Sequence, residues 1–224
     1  MNVLTPNRID TEELLDEHDA PRPDMERSLR DLRRINRWLG GIAIYARMLR
    51  LLDQKATRLR IVDVGAGTCD NLDALSGNHL RIGLDFKIDH LLYQREGSRT
   101  HRVVGDAHHL PFRDGSVDAV TSAHFFHHFS PDENVQILRD ALRIARLGVA
   151  VNDSRRHYVP LLVVRLLSIL RLVGRITRFD APASVLRGYT VDEAREVATR
   201  AGAARASVVR LWPFRFGILL WKTK

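Results

Sequence analysis

Three aspartates along the chain have the spacing needed to bind one small ligand. Asp63 lies in a short apolar run just before Gly65 and Gly67, whose missing Cβ atoms let a ligand approach the backbone. Asp63 could hold an ammonium group directly or through water, and Asp85, at the end of GLDF, could accept hydrogen bonds from a ribose diol. Asp106, with the N–H of the next residue, offers an acceptor and a donor to an adenine edge. Such a ligand has an amine, a ribose and an adenine but no phosphate.

The glycine turn departs from the dinucleotide-binding pattern G-x-G-x-x-G. That pattern requires glycine at position 70, where this chain has Asp70. A carboxylate there would repel a pyrophosphate, so the turn disfavours an NAD-type cofactor.

Titratable side chains follow the next two apolar runs. His124, His127 and His128 come after VDAVTSA, and Asp153 comes after LGVAV. Imidazole is the common general base near neutral pH, and Asp153 could orient one of the rings or hold a donor of the substrate. Alternatively, each of these imidazoles could be a packing residue whose ring forms a hydrogen bond with a nearby carbonyl.

The same histidines, with His108 and His109 upstream, also have a spacing that could suit a metal ion. His124 and His128 are four residues apart and would face the same way on a helix. No glutamate lies between them and no second metal-type cluster accompanies them, so we predict no metal.

A parallel sheet would bring these residues together. From Leu59 onward, Val- and Ile-rich runs alternate with helical stretches, and runs that are apolar on both faces are typical of a parallel sheet covered by helices. The runs are RIVDVGA, HLRIGLDF, HRVVGDA, VDAVTSAHF and LGVAVND. After the helix TVDEAREVATRAG, ARASVVRLW and FRFGILLW meet at Pro213 and must form a hairpin. We predict an α/β, doubly wound, Rossmann-like sheet of seven strands, mostly parallel, that ends in one antiparallel strand at this hairpin.

Residues 1–58 differ in character from the rest. Acids predominate from Asp10 to Glu26, where Pro21 and Pro23 should interrupt any helix, and this predicts a mobile acidic arm. Two short helices with a break at Gly40-Gly41 then form a helical cap in front of a domain spanning 59–224.

Composition limits the possible functions. The 224 residues suffice for one domain, and 35 Lys and Arg against 27 Asp and Glu give a net charge of +8, which suits an anionic partner. The single Cys69 excludes an intrachain disulfide and a multi-cysteine zinc site. The N-terminal residues have neither a basic start nor an apolar segment, so we expect a cytoplasmic protein, with peripheral contact to the inner face of a membrane as an open alternative.

An insertion at about 155–188 contains a basic amphipathic segment. At about 100° per residue, one side gathers Arg165, Ser168, Arg171, Arg175 and Arg178, and the other Leu162, Leu166, Ile169, Leu170 and Val173. Its arginines interrupt the run too soon for the roughly 20 apolar residues of a membrane span. We favour a lid over the acceptor pocket with arginines in water. The alternative is a helix lying on an anionic membrane.

The motifs VDVGAGTCD, GLDF, GDAHHLPF and SVDAVTSAHFFHHF occur in this order. From about Leu59 to the C-terminus the sequence resembles the class I S-adenosylmethionine-dependent methyltransferases, and GDAHHLPFRDGSVDAV resembles the branch that includes quinone C-methyltransferases and O-methyltransferases. One departure is Cys69, where the family often has a third glycine.

The resemblance implies S-adenosylmethionine as cofactor. Asp63, Gly65 and Gly67 would contact its methionine part, Asp85 its ribose, and Asp106 with Ala107 its adenine. The predicted cofactor-binding set also includes Ala66, Phe86, Ser122 and His124.

The resemblance favours methyl transfer to oxygen or carbon of a small, apolar or aromatic acceptor, with His127, His128 and Asp153 as catalytic residues. Two alternatives are an RNA methyltransferase, suggested by the charge, and a cofactor-binding partner protein without turnover. The sequence argues against nucleic acid, because strand four exits as Ser122-Ala123-His124-Phe125 and the arginines alternate with aliphatic rather than stacking residues. It leaves the oligomeric state open.

Overall fold

A seven-stranded sheet forms the centre of the molecule, for which a computed structural model describes residues 4–16, 20–52 and 58–222. Its strands in chain order are β1 (Arg60–Val64), β2 (Leu80–Asp85), β3 (His101–Val104), β4 (Val117–Ala123), β5 (Ala145–Ser154), β6 (Arg205–Leu211) and β7 (Arg215–Trp221). Glu17 and Asp19 of the predicted acidic arm lie outside the described residues, as does the segment 53–57 before the predicted domain boundary.

The strand order β3-β2-β1-β4-β5-β7-β6 confirms the predicted doubly wound topology. The first five strands pair in parallel, and β7 runs antiparallel to both β5 and β6. The antiparallel strand is thus the last in the chain, as predicted, but it lies between β5 and β6, so that β6 forms the edge.

Helices cover both faces of the sheet. They are α1 (Arg22–Trp38), α2 (Gly41–Leu52), α3 (Asp70–Asp73), α4 (Ile88–Leu92), α5 (Pro131–Ile144), α6 (Tyr158–Ile169), α7 (Arg175–Arg187) and α8 (Val191–Arg200), with 3₁₀ turns at Leu14–Asp16 and Phe126–His128. Ser130 and Thr190 form capping boxes that start α5 and α8, which explains where these helices begin.

The core has two layers because neighbouring strand residues point to opposite faces. Ile61 packs in one cluster with Tyr45 and Met48 of α2, whereas Val62 packs in the other with residues of α5 and α8 such as Leu138. Burial on both sides accounts for strands without a polar face.

The N-terminal segment is packed, contrary to the predicted mobile arm. Leu15 is buried, and the backbone N–H groups of Leu14 and Leu15 donate to Asp180 at 2.8 and 3.0 Å. Pro23 does not interrupt a helix but lies in the first turn of α1, where a missing N–H costs nothing. α1 and α2 meet near Gly40, as the sequence predicts.

The insertion forms two helices rather than one amphipathic helix. α6 ends at Ile169, Arg171 adopts a φ of 54°, and Gly174 caps the start of α7. The two helices pack on each other. Within the described ranges, no helix combines the length and hydropathy needed to cross a membrane.

Candidate active site

A cavity of about 570 Å³ opens at the carboxyl ends of the parallel strands. One side, the strand-end wall, consists of residues 65–68, 70, 85–86 and 106–107, which lie at or just after the ends of β1, β2 and β3. The other side, the arm wall, consists of Glu13, Asp16, His127, His128, Ser184 and Arg187. This edge of a doubly wound sheet is where such folds bind ligands, and the volume is ordinary for a small-molecule site.

The two predicted glycines in the strand-end wall have different roles. Both have positive φ, 70° at Gly65 and 52° at Gly67, which favours glycine. A Cβ on Gly65 would overlap the ring of Phe125, so this glycine makes room for a side chain of the protein. A Cβ on Gly67 would meet nothing within 4 Å, so here the backbone is open to a ligand. Ala66 lies between them and also lines the cavity.

Cys69 ends the same turn at a φ of 60°, a conformation that favours glycine. Its thiol fills the space beside Gly83 on β2, where a Cβ would overlap the sulfur. Burial raises the pKa of the Cys69 thiol to about 12, and neighbouring carboxylates add to this effect.

Asp85 ties the ends of β1 and β2 together. Its Oδ2 accepts the N–H of Gly67 at 2.8 Å and its Oδ1 accepts the N–H of Lys87 at 2.9 Å. Each carboxylate oxygen has a further lone pair for a ligand hydroxyl. The prediction that Asp85 faces the ligand agrees with its place in the wall, beside the exposed ring of Phe86.

Asp106 and Ala107 also lie in the strand-end wall, as predicted. Asp106 Oδ1 accepts the backbone N–H of His108 at 2.9 Å and lies 3.0 Å from its Nδ1. The first of these hydrogen bonds is the main reason that the pKa of Asp106 is lowered. The carboxylate therefore stays ionised and presents an acceptor to the cavity.

Asp63 and Ser122 are absent from the described cavity lining, contrary to the prediction. Asp63 is buried behind the wall, where Thr121 Oγ1 donates to its Oδ1 at 2.7 Å and is itself 2.5 Å from the Tyr45 hydroxyl. Burial raises the pKa of Asp63 to about 7, although hydrogen bonds from Thr121 and Tyr45 oppose the shift. Ser122 donates instead to the carbonyl of Val64 at 2.9 Å. Both side chains form their hydrogen bonds within the protein rather than with a ligand.

His127 is held between two carboxylates. Its Nδ1 donates to Asp153 at 2.9 Å, and its Nε2 lies 3.2 Å from Glu13 and 2.7 Å from Ser184 Oγ. Burial alone would lower the pKa of His127, but Asp153 and Glu13 raise it to about 10. The ring is thus a cation at neutral pH and cannot act there as the predicted general base.

Asp153 orients His127, as the sequence suggests, but does not itself line the cavity among the described residues. It also accepts the backbone N–H of His127 at 2.9 Å. Burial would raise the pKa of Asp153, yet the facing His127 holds it well below the usual range. Asp153 is therefore a positioning residue.

His124 and His128 both line the cavity. Burial, with the nearby charge of Arg215, lowers the pKa of His124 to about 3, so this ring stays neutral. His128 Nδ1 donates to Asp16 Oδ2 at 2.8 Å, which leaves Nε2 as the nitrogen able to accept a proton. Of the three predicted histidines, His128 has the arrangement of an oriented base.

The arm supplies site residues that the sequence does not predict. Glu13 and Asp16 belong to the predicted mobile acidic arm, yet they contact His127 and His128. Arg187 joins the two segments, since it donates to the carbonyls of His128 at 2.6 Å and Thr11 at 3.2 Å. No local signal in the sequence indicates these contacts.

His90 is a further cavity residue that the sequence does not predict. It is buried, lines the cavity, and its Nε2 has no hydrogen-bond partner among the described residues. Burial is the main cause that lowers its pKa. This nitrogen is available to a ligand, although its only signal in the sequence is its position shortly after β2.

Glu13, His127 and His128 also form a group whose potential metal-ligand atoms lie within 4.8 Å of one another. The arm thus supplies the glutamate that the sequence did not show between the histidines. Because His127 already uses both ring nitrogens in hydrogen bonds, a metal ion at Nε2 would have to replace the proton that this nitrogen shares with Glu13 and Ser184. The absence of a metal stays a prediction.

Comparison with known proteins bears on this arrangement. A family described as a methyltransferase domain matches residues 62–151, the segment from β1 to β5 that carries the strand-end wall. This segment is thus similar to methyltransferase domains. The match confirms the resemblance drawn from the motifs, and S-adenosylmethionine is the cofactor that such domains use.

The chain is also similar to curated proteins. They are demethylmenaquinone methyltransferases of Roseiflexus castenholzii and a second Roseiflexus strain, 34% and 33% identical over 111 residues. Each alignment covers 46% of this chain and 46% of the relative, so the chain matches a little under half the length of these proteins.

Solved structures share the fold. An S-adenosylmethionine-dependent methyltransferase from Methanococcus maripaludis is 15% identical with a TM-score of 0.63, covering 93% of this chain and 98% of that one. A methyltransferase from Aquifex aeolicus is 18% identical with a TM-score of 0.57, covering 85% and 97%.

The residues present fit the cofactor of the methyltransferase domain. Gly67 leaves its backbone open, Asp85 keeps free lone pairs, and Asp106 with Ala107 lies at the same edge. These residues would hold the methionine, ribose and adenine parts.

Proposed function

We propose that this chain is an S-adenosylmethionine-dependent methyltransferase that methylates oxygen or carbon of a small, apolar or aromatic acceptor. The observation that carries the proposal is the position of the Asp16–His128 pair in the same cavity as Gly67, Asp85 and Asp106. When bound, S-adenosylmethionine supplies an electrophilic methyl group.

The arm wall supplies the groups that act on the acceptor. A hydroxyl or an acidic carbon must lose a proton as it accepts a methyl group, and Nε2 of His128 is the candidate to take it. Asp16 fixes the ring through Nδ1 and stabilises the charge that develops on it, as a carboxylate does for a histidine base. The imidazolium of His127 keeps Glu13, and with it the arm, beside this base.

Aromatic side chains support an aromatic acceptor. The rings of Phe125 and Phe129 both line the cavity and meet edge to face, with centroids 4.9 Å apart. Such rings favour a planar apolar partner over a sugar or a phosphate. The relatives named as demethylmenaquinone methyltransferases support a quinone-like acceptor.

Two measurements test the proposal. Titration calorimetry with S-adenosylmethionine and its demethylated product should show binding, and binding of neither would contradict the cofactor assignment. Incubation with methyl-labelled cofactor and cell extracts should then place the label in the solvent-extractable fraction. Label in RNA would favour the RNA alternative, and cofactor binding without any transfer would favour a partner protein without turnover.

A substitution at His128 tests its role as a base separately from cofactor binding. His128→Gln should abolish most transfer while calorimetric cofactor binding is retained, because His128 lies outside the strand-end wall. His101→Gln is the matched control, since His101 is an exposed histidine of β3 with no place in the cavity lining. Equal activity of the two variants would remove His128 from the mechanism.

A further inference from the structure

Helix α6 exposes an apolar surface. Of its 12 residues only Leu161 is fully buried, and Arg165 is its only charged residue. We use the term α6 face for its exposed apolar residues, which are Tyr158, Val159, Leu162, Val163, Leu166 and Ile169. Leu162 is 62% exposed and Ile169 is 77% exposed, although helices of globular proteins normally turn such residues inward.

The exposed residues lie on one side of the helix. At about 100° per residue, the α6 face spans a continuous arc, and Arg165 lies at its border. Leu161, Val164 and Leu167 fall on the opposite side, toward α7, on which α6 packs. The predicted lid would instead turn these leucines toward the acceptor pocket. In the structure, α6 contributes no described residue to the cavity lining.

Positive charge borders the α6 face. From Arg155 to Arg178 there are six arginines and no acid. Arg165, Arg171 and Arg175 are exposed, and the side chain of Arg27 on α1 packs against Gly174 in the turn after α6. The turn itself adds exposed Leu170 and Leu172 to the apolar surface.

An exposed tryptophan lies near the start of the same helix. Trp212 is 83% exposed, and its ring is 6.2 Å from that of Phe214, which is 4.9 Å from the ring of His157, the residue that caps α6. Tryptophan is enriched at membrane–water interfaces because its ring is apolar and its N–H is polar.

We propose that the α6 face, with the turn that follows it and Trp212, lies on the surface of an anionic lipid bilayer. Leucine, isoleucine and valine side chains would enter the boundary between headgroups and acyl chains, while Arg165, Arg171 and Arg175 contact lipid phosphates. The combination of a mainly aliphatic exposed face and the exposed Arg165, Arg171 and Arg175 at its border matches a helix parallel to the membrane.

Charge and side-chain type argue against a second copy of the chain or an RNA as the partner of the α6 face. A symmetric contact between two copies would place the basic border of α6 opposite itself or close to it, without acids to neutralise it. An RNA would need stacking rings among the arginines, whereas the rings of this surface, Tyr158 and Trp212, lie at the start of α6 and Arg171 and Arg175 follow its end.

This inference goes beyond the proposed function and does not depend on it. It concerns a surface outside the cavity, yet the two are neighbours in the fold. α7 packs on α6 and contributes Ser184 and Arg187 to the arm wall.

Vesicle flotation tests the inference. The full chain should bind vesicles of phosphatidylcholine with phosphatidylglycerol on the order of tenfold or more tightly than vesicles of phosphatidylcholine alone, and high salt should reduce the difference. Equal binding to both vesicles, or binding to neither, would overturn the proposal.

Two variants assign the binding to this surface. Leu162→Ser/Leu166→Ser/Ile169→Ser should lose binding to both vesicles, whereas Arg165→Gln/Arg171→Gln/Arg175→Gln should lose only the preference for phosphatidylglycerol. The control Leu80→Ser/Leu92→Ser removes exposed leucines elsewhere and should bind as the unaltered chain does. All of these side chains are exposed, so folding should persist.

Further measurements identify other occupants. A dimer by light scattering that the serine variant dissociates would overturn the proposal in favour of a second copy, and RNA binding that the arginine variant abolishes would overturn it in favour of nucleic acid. Calorimetry with S-adenosylmethionine on the same samples keeps the two proposals apart. Cofactor binding without vesicle binding would contradict only the membrane proposal. Vesicle binding without cofactor binding would contradict only the proposed function.

Discussion

The two walls of the cavity differ in how far along the chain their contacts reach. In the strand-end wall, Asp85 holds Gly67 across 18 positions. In the arm wall, Glu13 reaches His127 across 114 positions and Asp16 reaches His128 across 112. A wall built from short-range contacts follows from the sheet itself, whereas the other exists only when the arm is in place. If the strand-end wall binds the cofactor and the arm wall acts on the acceptor, as proposed, substitutions should disturb the two activities separately.

Removal of the proposed base should have the largest effect. For His128→Gln we expect a fall in kcat on the order of 10²–10⁴, with the dissociation constant of S-adenosylmethionine unchanged within about twofold. Single-turnover assays and calorimetry measure the two quantities. If the cofactor affinity falls together with the rate, the two walls are not independent.

For a substitution in the strand-end wall we expect the opposite result, weaker cofactor binding with the arm wall unchanged. Asp85→Ala removes the acceptor of two backbone N–H groups and of the predicted ribose contact, which should weaken cofactor binding by about 1–3 kcal/mol. The exposed Asp89→Ala is its control. Crosslinking or hydrogen exchange at the arm should remain as in the unaltered chain, and a change there would show that the walls are coupled.

The pH dependence of unfolding tests the arm wall through His127. A histidine whose pKa is raised to about 10 in the folded state stabilises the protein fully below its unfolded pKa of about 6.5, and loses this contribution as pH rises through 10. Urea unfolding should therefore show stability that declines between these limits by an amount on the order of a few kcal/mol. His127→Gln should flatten this part of the profile. An equally steep decline in that variant would assign the slope to other groups.

The smallest expected effect concerns the attachment of the arm. Asp180→Asn retains one carbonyl oxygen for the two N–H groups of Leu14 and Leu15, so the arm should loosen by about 1 kcal/mol. Hydrogen exchange at Leu14 and Leu15 should accelerate while exchange at Gly67 does not. Faster exchange at all three amides would indicate that the whole cavity opens as one unit.

The strand-end wall could be predicted because local pattern determines it. An apolar run followed by glycine or aspartate shows where a parallel strand ends, and this placed Asp85 and Asp106 at the sheet edge that lines the cavity, while their contacts with a cofactor stay a prediction. Asp63 was assigned to the cavity although strand alternation puts it on the same face as Ile61, which packs with Tyr45 of α2. The packing of Ile61 against α2, which decides the matter, is visible only in the folded structure.

The arm wall and α6 could not be predicted in the same way. A run of acids is typical of a solvated segment, and only the folded surface shows that Glu13 lies beside His127. For α6, the pattern identified leucines and arginines on different sides. It could not show that the helix ends before Arg171, nor that the leucines face outward, because both depend on how α6 packs against α7.

The single cysteine makes the strand-end wall observable without any engineered probe. Cys69 has no exposed surface, and because burial raises its pKa to about 12, almost no thiolate exists at neutral pH to react with a disulfide reagent. Labelling must therefore await opening of the turn after β1, and its rate reports that opening directly. Ligands that close this turn should slow the reaction, so a simple absorbance assay could screen cofactor analogues and inhibitors.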